Sequence, residues 1–304
     1  MRTDNTADSL SESSWIPKRL SDAKVAIWGI GLMGGSLAMA LNGKTAALYG
    51  IDPDEGVKSQ AEEMGIFTQV SVEAAELIPE ADMVILCCPL GSIPRSIHSL
   101  DTLHPGHAVV LDIGSTKTGI MQAMKDLPER FAPIGGHPMC GKEVRTLSEA
   151  CPDLYQGSSF ALLPLQRTPQ AAARLSLQLV EAVGAVPIWL EPDLHDRWVA
   201  SISHLPFLVS NCLAGVTPLE AAPLVGPGFK STTRLAVESI DMIISTLQNN
   251  QENVLAFVRQ YQQRLSQIEK HLAASDYDGL TTLFEEGAAQ RIAIMDSFHQ
   301  GGGK

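Results

Sequence analysis

A chain of 304 residues, 45% hydrophobic and 18% charged, has the composition of a globular protein and the length for two domains with separate cores. Its formal net charge of −12, with no run of Lys or Arg, argues against a nucleic-acid surface and requires an anionic substrate to be met by locally gathered cations. The five cysteines (Cys87, Cys88, Cys140, Cys151 and Cys212) are odd in number and include no C-x-x-C, so neither a disulfide framework nor a metal site is expected, and a reducing cytoplasm is the expected setting.

Residues 1–21 are rich in Ser, Asp and Thr without an apolar signal segment, and read as a disordered lead-in. An apolar run then begins at Lys24 and stops at Gly29-Ile30-Gly31-Leu32-Met33-Gly34, spaced G-x-G-x-x-G, with a helical pattern following at once. A second apolar run, Ala46–Ile51, ends on Asp52, 21 residues after Gly31. Strand, tight turn, helix, strand and acid in this order hold a dinucleotide. Gly29 and Gly31 let the backbone approach a pyrophosphate. Unpaired N–H groups at the helix start, near Leu32, Met33 and Gly34, point at the phosphates. Asp52 accepts from the ribose hydroxyls and repels a 2′-phosphate, which favours NAD over NADP. No Gly-Lys-Ser/Thr closes the loop, which excludes a P-loop.

The alternation continues with a helix over Glu55–Met64 and a buried strand over Met83–Pro89. The longest apolar run, Met83–Leu90, is too short to span a bilayer, and no membrane partner is expected. Ala108–Asp112 reads as a strand with Gly114-Ser115-Thr116-Lys117 at its end, and Phe131–Ile134 leads into Gly135-Gly136-His137-Pro138. Ser158–Leu163 and Ala185–Leu190 read as late strands around a helix over Pro169–Val183. This is an α/β fold, a Rossmann-type doubly wound parallel sheet over residues 22–191 that binds NAD.

From residue 192 only helical periodicity remains. Leu194, Trp198, Ile202, Leu205 and Val209 form one helix stripe, interrupted by a kink at Pro206. A Pro/Gly break at residues 221–228 precedes a long amphipathic helix over Gln251–Leu272. An all-helical domain over residues 192–300, serving substrate binding and homodimerisation, and a frayed tail over residues 301–304 complete the expected organisation.

In open α/β sheets the ligand sits beyond the carboxyl ends of the strands. Three segments fall there: Cys88-Pro89-Leu90 on the cofactor side, Asp112–Lys117, and Gly136–Glu143. His137 is the candidate acid–base group, in a loop whose glycines free the backbone. Ser115 is placed to bond the same hydroxyl or the nicotinamide, or to cap a helix over Lys117–Met124. Lys230 and Arg234, four apart, share a helix face as a cation pair suited to a carboxylate; alone, such a pair is more often a solvated face. His204 alone reads as a core or capping histidine, and His195-Asp196 as a helix start.

Together and in this order, Gly29–Ala38, Asp112–Lys117, Gly135–Glu143, Ser203–Pro206 and Gly228–Ala236 resemble the prephenate/arogenate (cyclohexadienyl) dehydrogenase family. The resemblance implies a nucleotide domain with a helical dimerisation domain, and NAD-dependent oxidative decarboxylation of a cyclohexadienol on the tyrosine pathway. It implies that His137 takes the ring hydroxyl proton and that Ser115 shares the hydroxyl. Arg234 holds a substrate carboxylate with Lys230 in support, Glu143 stands at the pocket mouth, and Ser203 and His204 line the substrate site. The chain departs from the family where Phe207 replaces a frequent second histidine and Ile243 a frequent tryptophan. No regulatory ACT domain is expected after the last helices and no chorismate mutase domain before the Rossmann unit, so feedback by tyrosine, if any, would have to act at the active site. Phe207 keeps open a dehydrogenase of a 4-amino-4-deoxyprephenate ring. A β-hydroxyacid dehydrogenase needs a helical catalytic lysine, which Lys117 fits poorly, and an NAD-sensing, non-catalytic dimer has no use for His137.

Overall fold

The computed structural model describes residues 14–142 and 144–301. These divide into two compact units, one ending at His195 and the other beginning at Asp196, four residues beyond the expected boundary.

The first unit is built on eight strands: β1 Lys24–Trp28, β2 Ala47–Ile51, β3 Gln69–Ser71, β4 Met83–Leu86, β5 Ala108–Asp112, β6 Phe131–Pro138, β7 Ser159–Pro164 and β8 Val186–Trp189. Their order is β3-β2-β1-β4-β5-β6-β7-β8. β4 and β5 are buried at every residue, as strands covered on both faces must be. Helices α1 (Leu32–Leu41) and α6 (Gln170–Ala182) cover one face through Leu37, Leu41, Leu175 and Leu179. Helices α4 (Ile93–Leu103) and α5 (Thr118–Lys125) cover the other through Ile93, Ile97, Ile120 and Met124. Helices α2 (Glu55–Glu63) and α3 (Ala74–Leu77) flank β3, and Asp54 caps α2 by accepting from the N–H groups of Gly56 and Val57.

Three expectations change here. The sheet is not wholly parallel: β6 and β7 pair antiparallel, with His137 opposite Ala161. β6 runs to Pro138, although its last residue in register with β5 is Ile134, so the segment expected to be a loop at His137 is strand. Residues from Ser14 to Ser21 also belong to the fold rather than to a disordered lead-in. Ile16 and Leu20 are buried, and the Leu20 N–H donates to Gln178 Oε1 at 2.9 Å. The expected lead-in up to residue 13 lies outside the described residues.

The chain passes between the units within α7 (Pro192–Val199). A π turn over Ala200–His204 and α8 (Leu205–Val216) follow without a break. Pro206 therefore sits in the first turn of α8, where it needs no N–H, and the wide turn before it absorbs the missing bond. Next come α9 (Pro227–Thr232), α10 (Ile240–Asn249), α11 (Gln251–Ala273) and α12 (Tyr277–Gly301). Gly301, expected to fray, closes α12; residues 302–304 lie outside the described residues.

The stripe of α7 and α8 points outward. Leu194, Trp198 and Ile202 are exposed, while His195, Asp196, Val199, Ala200, His204, Phe207 and Ser210 are buried. By length and composition Pro192–Val216 is also apolar enough to cross a membrane, with a mean hydropathy of 1.5.

Candidate active site

The glycine turn joins β1 to α1. Gly29 has φ +102°, the left-handed region, and a Cβ there would stand 2.7 Å from the backbone of Cys87 and Cys88. Gly34 faces the turn from α1, where a Cβ would stand 1.9 Å from the Gly29 carbonyl oxygen. Strand end, helix start and the Cys87-Cys88 strand exit therefore touch through backbone alone. Tyr155, fully buried, donates from its hydroxyl to the Met33 carbonyl at 2.8 Å and pins the helix start. Burial pushes the Tyr155 phenol well above its ordinary value, which keeps it a donor.

Asp52 lies at the end of β2 beside this turn. One carboxylate oxygen accepts the Ile30 N–H at 2.9 Å and the other the Asp54 N–H at 3.2 Å. The Leu32 N–H differs from expectation: it is not unpaired but donates to the Arg145 carbonyl at 2.8 Å. An orphan donor at a helix start takes whatever acceptor is at hand, here a loop of the same unit. Beyond β4, Cys88 and Leu90 are half-buried and Pro89 is exposed, with the Pro89 carbonyl accepting from Ser92 Oγ at 2.7 Å.

Past Ile134, β6 has outrun β5, and a buried ion pair takes over the role of the missing strand. Lys117 and Asp112, both with no exposed side-chain surface, form a salt bridge. Lys117 Nζ donates to the Gly136 carbonyl at 2.5 Å, and the Gly136 N–H donates to Asp112 Oδ1 at 3.3 Å. The Gly114 N–H donates to Asp112 Oδ2 at 2.7 Å. Burial pushes the Asp112 carboxyl up from its ordinary value, opposed by the Lys117 ammonium and these hydrogen bonds. Gly135 and Gly136 serve this packing rather than loop freedom: a Cβ on Gly136 would stand 2.5 Å from the Asp112 carbonyl oxygen, and one on Gly135 2.5 Å from Met121 Sδ. Ser115 is half-buried between these two charged residues, and Lys117, not Ser115, occupies the position before α5.

His137 follows, half-buried. Its Nδ1 lies 2.8 Å from Nε2 of His195, a residue only 2% exposed at the start of α7. A lone histidine–aspartate pair after a late strand carries no sequence signal of this contact, which joins residues 58 apart.

The first unit thus assembles Gly29, Gly31, Leu32, Met33, Gly34, Asp52, Cys88, Pro89, Leu90, Ser115 and His137 along the carboxyl edge of its parallel strands. The other candidates belong to the second unit. Ser203, Lys230 and Arg234 are exposed. Lys230 is in α9 but Arg234 is in the following 3-10 turn, because α9 ends at Thr232, so the two do not share one helix face. His204 is buried, with Nδ1 3.3 Å from Asn250 Nδ2, which also donates to the Asp196 carbonyl at 2.7 Å. Glu143 lies outside the described residues.

Residues 36–189 match the family model described as prephenate dehydrogenase, nucleotide-binding domain, and residues 191–286 the one described as prephenate dehydrogenase, dimerization domain. The chain belongs to the prephenate dehydrogenase family. It is similar to the prephenate dehydrogenase of Bacillus subtilis, with 27% identity over 284 residues, 89% of this chain and 76% of the relative. Among solved structures, it resembles an Aquifex aeolicus prephenate dehydrogenase in complex with hydroxyphenyl propionate and NAD+ (28% identity, TM-score 0.83, covering 90% of this chain and 99% of that one). It also resembles a Synechocystis arogenate dehydrogenase (27% identity, TM-score 0.78, covering 89% and 99%).

Membership makes the chain an NAD-dependent oxidoreductase of the prephenate dehydrogenase family. The tight turn at Gly29, whose left-handed backbone and close packing exclude a side chain, and the anchored carboxylate of Asp52 suit that cofactor. In this family member the buried ion pair ties Asp112 and Lys117 together with no exposed side-chain surface. Lys117→Met strands a buried carboxylate and is expected to destabilise the first unit by about 3–5 kcal/mol, read from the urea midpoint. Asp112→Asn in the same chain removes the stranded charge and is expected to restore part of that loss.

Proposed function

We propose that the chain oxidatively decarboxylates prephenate, arogenate or both, yielding 4-hydroxyphenylpyruvate or tyrosine. The observation that carries this reading is the placement of His137. It stands on the same strand edge as the glycine turn and Asp52, held in place by its neighbour Gly136, in a chain of this family.

When bound, NAD+ would supply a hydride acceptor for the ring carbon that carries the hydroxyl. His137 takes the hydroxyl proton as the C–O bond gains carbonyl character and returns it to the oxygen once the ring is aromatic. The ring carboxylate departs as CO2, and the electrons of the broken C–C bond complete the aromatic ring. Ser115 bonds the same hydroxyl and helps place the nicotinamide. Arg234, with Lys230, supplies positive charge for the remaining carboxylate; an anion approaching a chain of net charge −12 needs such a local exception. Ser203 and His204 are assigned to the substrate side by family resemblance, His204 through its ordered place beside Asn250.

The experiment is NADH formation from NAD+ with each substrate. His137→Asn is expected to lower kcat by about 100-fold or more while leaving NAD+ affinity within a factor of two or three, read by titration. Near-normal turnover of the variant would sink the assignment.

Substrate choice between a keto acid and an amino acid turns on charge. Glu143, placed at the pocket mouth by resemblance, attracts the ammonium of arogenate and repels the carboxylate of prephenate. Glu143→Gln is expected to lower kcat/KM for arogenate about 10-fold relative to prephenate. Undiminished arogenate use would remove that role.

We further propose a homodimer formed through the helical unit. Its apolar stripe is a surface that single chains seldom leave in water, and residues 191–286 match a dimerization domain. The same reading accounts for the apolar character of Pro192–Val216, whose first turns carry Asp193, His195, Asp196 and Arg197. Ile202 is 61% exposed in the single chain, so Ile202→Asp has little to disturb within it. The variant is expected to shift the mass seen by light scattering from dimer to monomer. A cytoplasmic setting fits the five free thiols.

A further inference from the structure

We propose that His195 is a positioning residue for His137: it accepts the Nδ1–H of His137 and so keeps that ring in the tautomer whose Nε2 is the base. The inference rests on the reading of His137 as proton acceptor and adds what makes it one.

The contact is a hydrogen bond, not a stack. Nδ1 of His137 and Nε2 of His195 are 2.8 Å apart, and the rings meet edge-on, with centroids 5.0 Å apart and planes at 67°. A bond between two imidazole nitrogens needs one proton, on one side or the other. If His195 donated, the proton of neutral His137 would sit on Nε2. Its basic nitrogen would then be Nδ1, already committed to His195, and Nε2 would have no lone pair to offer a substrate hydroxyl. If His137 donates from Nδ1, Nε2 carries the lone pair. Only this arrangement lets the ring act as a base at Nε2. It also survives the reaction: once Nε2 has gained the proton, the imidazolium still donates from Nδ1 to the same acceptor, now through a charge-assisted bond.

Both rings are held by backbone. His137 is in β6 opposite Ala161, next to the Gly136 that Lys117 and Asp112 clamp. His195 is in the first turns of α7, where its N–H donates to the Glu191 carbonyl at 3.0 Å. At 2% exposure His195 is shielded from water, so solvent does not readily replace its acceptor. An isolated imidazole has no such partner to select the Nδ1–H form.

The test compares His195→Phe, which fills the site without an acceptor, with His195→Gln, whose Oε1 can accept in place of Nε2. With His195→Phe, kcat is expected to fall about 10- to 100-fold, with KM for prephenate and NAD+ affinity little changed; His195→Gln is expected to recover most of the loss. The second readout needs no substrate. In protein labelled with 15N-histidine, at a pH where imidazoles are neutral, long-range proton–nitrogen correlation should show His137 protonated at Nδ1. The signal is assigned by its absence in His137→Asn. It should move toward Nε2–H in His195→Phe and stay in His195→Gln. An unchanged tautomer in folded His195→Phe, or equal losses of kcat with Phe and Gln, would overturn the proposal. If His137→Asn turns over normally, the functional reading fails instead, whatever the tautomer.

Discussion

Both backbone groups of Gly136 face a side of β6 that no strand covers, and the buried pair of Asp112 and Lys117 satisfies them together. An unmet amide in a core costs about as much as a lost hydrogen bond, and an unmet buried charge costs more. Here each need answers the other. The carboxylate receives the Gly114 and Gly136 N–H groups, the ammonium reaches the Gly136 carbonyl, and the two charges meet. A strand that would otherwise end level with its parallel neighbour continues for three residues, and the middle one is His137.

The antiparallel strand β7 completes the support from the other side. A histidine on a free loop would lose much of its orienting entropy only when substrate arrives. On a strand held along both edges that cost is met during folding, which is what placement of a proton acceptor requires. The same economy governs the glycine turn, where Gly29 and Gly34 bring backbone against backbone and Asp52 is fixed by the Ile30 N–H. The Arg145 carbonyl on the Leu32 N–H ties a second segment of the first unit to the helix start of this turn.

In the helical unit the usual polarity of an amphipathic helix is reversed. Buried positions in its part of α7, the π turn and α8 include Asp196, His204 and Ser210, while Trp198 and Ile202 face out. The polar residues inside are tied into the chain, as Asn250 shows by bonding the Asp196 carbonyl and His204. A reversed helix is stable when a second apolar surface covers its stripe, which is the surface the proposed homodimer would use.

Local sequence determined what depends on short-range sterics and periodicity. The turn at Gly29–Gly34, the acid at Asp52, the apolar strand β4, the apolar run of β5 up to Leu111 and the long helix α11 could be read because each is set by residues within one or two turns of chain. Motif order carried the family. Tertiary structure alone decided the antiparallel turn of β7, the extension of β6 through His137, the end of α9 between Lys230 and Arg234, and the pairing of His137 with His195. Each of these rests on partners dozens of residues away or on which face a neighbour happens to cover. Periodicity marks a stripe but not the side on which it is buried, and a histidine's spacing along the chain says nothing of the ring that meets its nitrogen.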